Sequence, residues 1–247
     1  MSLDRQASPF PPPSYAPPSQ QGGLVELLLR SESAARRLER ELRSAIVRLE
    51  LPPGTRLTEQ DVASRYGVSR QPVREAFISL DRAGLLSVRA QRGTLVVRIS
   101  RERMRAARFV REAVESAVAR RACVEFDPTV RREIEDLLDM QMRVADRGDR
   151  DGFTPVDEAF HQALARGCGM PSVWDTLIDI KSHMDRVCHL TIPDASSMKP
   201  LVEQHRAIVT AIDAKDADAA EKAMRYHLTE ILRAMPKAEA LYPDLFE

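Results

Sequence analysis

The chain has 247 residues, 43% of them hydrophobic and 30% charged, which excludes wholesale disorder and leaves room for one large domain or two modest ones. No apolar run approaches the roughly 20 residues of a membrane-spanning helix, and the start lacks the basic-then-apolar pattern of a secretory signal. The three cysteines, Cys123, Cys168 and Cys188, are far apart and read as reduced thiols of a cytoplasmic protein.

Lys plus Arg equals Asp plus Glu at 37 each, yet Ser31 to Ser100 holds 13 Arg, no Lys and 8 acids. Arg101 to Glu247 holds 22 basic and 27 acidic residues. A basic front half and an acidic rear half point to two domains with different partners, the first facing a polyanion.

In chain order, residues 1–23 carry six prolines among Ser, Gln and Gly and read as an extended, disordered tail. Residues 24–100 form the first predicted domain. It opens with a helix from Ala35 to Leu49, with Leu38, Leu42, Ala45, Ile46 and Leu49 at helical spacing, stopped by Pro52, Pro53 and Gly54. Thr58 then caps a short helix with Asp61 in the capping-box position, and Gly67 ends it in a tight turn. Ser69 caps a further helix, with Pro72 tolerated in its first turn and Val73, Ala76, Phe77 and Leu80 as its buried stripe. Gly84 closes it. Two short runs, Leu85–Arg89 and Thr94–Ile99, make a hairpin.

From Arg101 no strand is predicted. Helical patterns run near 101–125, 129–147, 153–167, 172–190, 200–214 and 216–235, with short breaks, so 101–247 reads as an antiparallel bundle of six helices. The predicted fold is mainly α: a winged helix-turn-helix with a small β-hairpin, then an all-α domain.

The stripe of the Ser69–Ala83 helix turns Gln71, Arg74, Glu75 and Ile78 outward, and Arg70 sits in the open first turn, where a phosphate is favoured. Arg can chelate guanine O6 and N7 from such a position. Arg92, with Gly93 at the hairpin tip, is placed to reach an adjacent groove. The alternative is a solvated basic face, with Glu75 pairing a neighbouring Arg.

Leu51-Pro52-Pro53-Gly54-Thr55-Arg56-Leu57, then Gly67-Val68-Ser69-Arg70-Gln71-Pro72-Val73-Arg74-Glu75-Ala76, then Leu80 to Leu86 and Arg92-Gly93 resemble the DNA-binding domain of GntR-type bacterial transcription regulators. The resemblance implies that Arg70 and Arg74 contact an operator with the wing assisting, and that Gln60 stands at a contact position of some members.

In the bundle, polar residues interrupt apolar stripes. Asp157 and His161 share a face with Phe153, Phe160 and Leu164; His205 lies among Leu201, Ile208, Val209 and Ile212; His227 lies among Met224, Leu228, Ile231 and Met235. A carboxylate buried beside three imidazoles needs an offset, and a divalent cation supplies it: Zn first, with Ni, Mn or Fe as alternatives. An Asp–His hydrogen-bonded network without metal is the rival reading. His183 and His189, six apart, cannot share a face, and Trp174 and the methionines read as core.

This half resembles the FCD ligand-binding domain of the FadR-like branch, and a count of six helices suits its VanR-like subtype. The resemblance implies that Asp157, His161, His205 and His227 bind the metal and that an organic acid completes its coordination. Arg108, Arg111 and Glu115 share a helix face opposite Val110, Val114 and Val118. By analogy Arg111 grips the effector carboxylate, with Arg108 and Arg186 as further candidates; a solvated Arg111–Glu115 pair is the alternative.

Together these features predict a ligand-responsive repressor, not an enzyme, that binds a palindromic DNA operator as a homodimer and senses a small carboxylate at a metal. A metal-dependent hydrolase and a pure metal sensor are the competing readings of the same cluster.

Overall fold

A computed structural model describes residues 33–89, 93–191 and 195–247. The predicted tail 1–23 and Arg92 lie outside the described residues. The chain divides into two compact units between Ile99 and Ser100.

The first unit begins with α1 (Ala34–Val47), capped by Ser33, whose side chain accepts from Arg36 N–H. The helix ends before Leu49, which takes a left-handed φ of 58°; it was predicted to run on to that residue. Leu51 N–H reaches back to Ala45 O and draws Leu51 fully into the core, which fixes this early stop. Strand β1 (Arg56–Leu57) follows, then α2 (Glu59–Tyr66) and α3 (Arg70–Arg82). Thr58 caps α2 as its sequence predicts, accepting from Asp61 N–H at 3.1 Å. Gly67 supplies the left-handed turn with φ 63°. Ser69 stands at the N-cap of α3, but its side chain makes no capping bond.

Strands β2 (Leu86–Arg89) and β3 (Gly93–Val96) form the hairpin, in the register Leu86↔Val96 to Arg89↔Gly93. β1 adds an unpredicted third strand, pairing Arg56 with Leu95 and Leu57 with Thr94, so the sheet order is β1-β3-β2. Two residues carry too little pattern to announce a strand. Leu42, Ile46, Leu51, Val62, Val73, Leu80 and Leu85 are the core of this unit, each fully buried.

The second unit contains seven helices among the described residues: α4 (Arg101–Ala122), α5 (Pro128–Asp146), α6 (Arg150–Gly167), α7 (Ser172–Ile180), α8 (Ser182–Thr191), α9 (Ala195–Asp213) and α10 (Ala217–Leu241), then a 3-10 turn at Pro243–Leu245. The stretch predicted as one helix over 172–190 is two, meeting at Lys181, so the six-helix count that favoured the VanR-like subtype does not hold. Pro155, Pro200 and Pro236 lie inside helices rather than at their ends. Each proline forfeits a backbone bond, and each stands on the exposed side of its helix. Val118, Ile134, Phe160, Leu164, Ile208 and Met224 build the core. Among the described residues no helix is long and apolar enough to cross a membrane.

Candidate metal centre and DNA-reading face

Three helices aim an imidazole at one point. His161 of α6, His205 of α9 and His227 of α10 are all buried, and a ring nitrogen of each lies within 4.8 Å of the others. His205 Nδ1 sits 2.8 Å from Gln141 Oε1 of α5. The amide orientation is fixed because Gln141 Nε2 donates to Val156 O. His205 therefore carries its proton on Nδ1 and presents a bare lone pair at Nε2. His227 Nδ1 is likewise held at 3.0 Å by Gln204 Oε1.

With Gln204 Oε1 accepting from His227 Nδ1–H in the same way, both Nε2 atoms would be bare, and they face each other at 3.3 Å. Two lone pairs at that distance repel unless a cation lies between them. Donors about 2.1 Å from a tetrahedral or octahedral metal stand about 3.0–3.4 Å apart, the spacing seen here. His161 Nε2 is buried without a hydrogen-bond partner among the described residues. Asp157 Oδ1 lies 3.5 Å from His205 Nε2. The donor set and its orphaned nitrogens fit a divalent ion. Burial first, then the neighbouring imidazoles and Arg111, keep His205 and His227 well below the ordinary histidine range, in the neutral form a metal requires.

Behind His161 stands Glu115, for which a solvated pair with Arg111 was one of two expectations. Glu115 Oε2 is 2.6 Å from His161 Nδ1, at bonding distance though poorly aligned for a hydrogen bond. Arg111 Nε donates to its other oxygen at 2.5 Å. Both Arg111 and Glu115 are buried, whereas Val110 and Val114 are only half-buried, so the polar side of α4 faces inward. Burial opposes the charge on Glu115, but Arg111 and His161 overcome it and hold the carboxyl far below its usual range. A carboxylate behind a ligating histidine fixes its tautomer and raises its basicity.

A cavity of about 340 Å³ adjoins the cluster, and Arg111, Asp157, Trp174, Lys181, Gln204 and His227 are among its lining residues. Lys181 pairs with Glu158 and with Asp185, the latter at 2.7 Å. Burial raises the Asp157 and Asp185 carboxyls against the pull of these cations. Trp174 is core, as expected, and also stacks on His161 at 5.9 Å. Among the described residues, Arg108 and Arg186 do not line the cavity. Arg108 pairs with Glu112, and Arg186 is fully buried. His183 accepts from Ser100 N–H instead of joining the cluster.

Gln141 was missed, although its signal was present: it stands on the stripe Ile134–Leu138–Gln141–Ala145, a fully buried polar residue at an apolar position.

On α3, Gln71, Arg74, Glu75 and Ile78 are exposed, as the stripe required. Glu75 does not pair an arginine in the hydrogen bonds seen; it accepts from Gln71 Nε2 at 2.9 Å. Arg70 and Arg74 both reach Glu59, the first residue of α2, at 2.9 Å. Gln60, its neighbour, bonds Ser64 instead. Gly93 opens β3 with φ 84°.

Residues 34–96 match the family of bacterial regulatory proteins, gntR family, and residues 107–230 match the FCD domain. The chain is 39% identical over 207 residues to the HTH-type transcriptional repressor RspR of Escherichia coli strain K12, covering 84% of this chain and 91% of that one. It is 39% identical over 206 residues to an HTH-type transcriptional regulator in an unstable DNA locus of Streptomyces ambofaciens, covering 83% and 86%. The solved structure of E. coli McbR/YncC shares the fold, with a TM-score of 0.74 at 20% identity over 83% of this chain and 98% of that chain. A GntR transcriptional regulator from Rhodococcus sp. RHA1 aligns with a TM-score of 0.66 at 26% identity, over 83% and 99%.

Proposed function

Because the chain belongs to the gntR family of bacterial regulatory proteins and carries an FCD domain, we propose that it is a repressor whose grip on DNA answers to a small organic acid sensed beside a metal. That it is a transcription regulator rather than an enzyme follows from the family. The hydrolase reading of the cluster falls with it. The observation that carries the sensing half is the 3.3 Å approach of two Nε2 atoms whose other nitrogens are each anchored by an amide.

His161, His205 and His227 would hold the ion, with Asp157 as fourth ligand. When bound, the metal supplies a positive centre at the end of the cavity. Glu115 keeps His161 in register, and Gln141 and Gln204 do the same for the other two. The effector is a small carboxylate.

The cations of the cavity limit its charge. Arg111 is matched by Glu115, and Lys181 by Glu158 and Asp185. A second carboxylate on the ligand would meet cations already matched, and displacing Glu115 or Asp185 would leave that acid buried and unpaired, which is strongly unfavourable. The effector thus carries a single anionic group, with its remaining polarity in groups that bond Asp185, Gln204 or Thr191. Arg111 sets the position of Glu115 rather than gripping the ligand.

Two winged units of a homodimer would read a two-fold operator. Tenfold weaker operator binding requires about 1.4 kcal/mol of coupling between effector and DNA. Elemental analysis of the purified protein tests the reading, with His205→Ala as its control. One divalent ion per chain in the wild type and none in the variant is the expected result. A metal-free wild type, or full content in the variant, would overturn it. Titrating operator affinity with metal alone, then with monocarboxylates and dicarboxylates, separates an acid sensor from a pure metal sensor.

A further inference from the structure

One carboxylate holds both reading arginines of α3. Glu59 Oε2 accepts from Arg70 Nε at 3.2 Å and from Arg70 Nη2 at 2.9 Å. Arg74 donates Nε to Glu59 Oε1 at 2.9 Å and Nη2 to Oε2 at 3.1 Å. Each guanidinium is therefore engaged along the same Nε–Nη2 edge, and among the described residues each keeps Nη1 and the outer proton of Nη2 free. That free edge is the fork that chelates guanine O6 and N7. The arginine side chains are 60% and 56% exposed and the glutamate 22%, so the carboxylate lies behind them.

Stability does not explain the arrangement, since exposed ion pairs contribute little. Affinity for DNA does not explain it either, because a carboxylate near phosphates is repelled. What the geometry does explain is orientation. Arginine is long and flexible, and two of them left free would seek phosphates of any sequence.

We propose that Glu59 is a positioning residue for operator recognition: it braces Arg70 and Arg74 so that their free edges meet guanines, and so exchanges general affinity for sequence discrimination. The place of Glu59 supports this role. It is the first residue of α2, where the helix N-terminus favours a negative charge. The inference rests on the regulator reading above, but its failure can be told apart from failure of that reading.

The test uses the full chain and an operator duplex selected by the wild-type protein from randomised DNA, with a scrambled duplex as comparison. Affinities are measured over a range of salt for wild type, Glu59→Gln and Glu59→Asp. Glu59→Gln should lower the operator-to-scrambled ratio about tenfold, as expected for one misaligned bidentate contact. It should also strengthen binding to the scrambled duplex and steepen its salt dependence, because an interfacial negative charge is gone. Glu59→Asp keeps the charge but is one methylene too short to reach both arginines. It should lose discrimination while leaving scrambled binding and its salt slope unchanged.

A purely structural role would weaken both duplexes together and lower the melting temperature. That result, or an unchanged ratio in both variants, overturns the proposal and leaves the regulator reading standing. Failure of the wild type to select any duplex removes the reading itself.

Discussion

The facing imidazoles of His205 and His227 are set by what stands behind them. Gln141 Oε1 accepts from His205 Nδ1–H, and Gln204 Oε1 stands 3.0 Å from His227 Nδ1, an arrangement that turns the Nε2 lone pairs inward. Protonating either ring in this buried site is unfavourable, and both lie well below the reference value of 6.5. In the unfolded chain both titrate normally, so below about pH 6.5 the unfolded state binds protons that the folded state refuses. Stability of the metal-free protein is then fully present above that pH. It declines as pH falls from about 7 toward 5, by up to about 1.4 kcal/mol per unit for each histidine. Melting temperature against pH checks this. His205→Gln should make the profile shallower, and a flat wild-type profile would contradict the burial of neutral rings. Bound metal should steepen the same decline, because protons then compete with the ion for the ring nitrogens.

The helix-turn-helix is an element whose geometry hangs on one backbone angle. Gly67 takes φ 63° between α2 and α3, and a Cβ added there would meet nothing within 4 Å. Only backbone strain opposes a larger residue, so Gly67→Ala should lower stability by about 1 kcal/mol. A shift in the urea midpoint of the first unit measures it; no shift would mean the turn has relaxed. Leu49 adopts a similar φ of 58° without being glycine. The neighbouring Leu51 compensates, fully buried and bonded back to Ala45 O. At Gly167 the constraint is packing instead, because an added Cβ would lie 2.3 Å from the Phe126 ring.

For the whole molecule, the charge asymmetry along the chain becomes a division of labour between two units. The basic one carries Arg70 and Arg74, and the acidic one carries the imidazole cluster and its cavity. The logarithm of operator affinity should fall linearly with the logarithm of salt, with a slope of about −0.9 for each phosphate neutralised. A flat response would remove the phosphate contacts. A two-fold operator requires a two-fold protein, so sedimentation should give a dimer at the concentrations where DNA is bound. A monomer bound to a single half-site would overturn that part of the proposal.

The sequence by itself determined whatever depends on neighbours a few residues apart: the Thr58 cap, the Gly67 turn, the outward face of α3, the hairpin, and the stripes that carry the three histidines. Such features are written in propensity and periodicity, which act over one or two turns. Only the tertiary structure decided which partners meet across the chain. Gln141 lies 64 residues from His205, and Arg70 and Arg74 lie 11 and 15 residues from Glu59. The two-residue strand β1 exists only because β3 is there to pair it. The same is true of Arg111 and Glu115, which periodicity set on one helix face without saying what they meet, and which packing turns inward against His161. A buried charge is decided by what lies opposite it, and no local pattern contains that information.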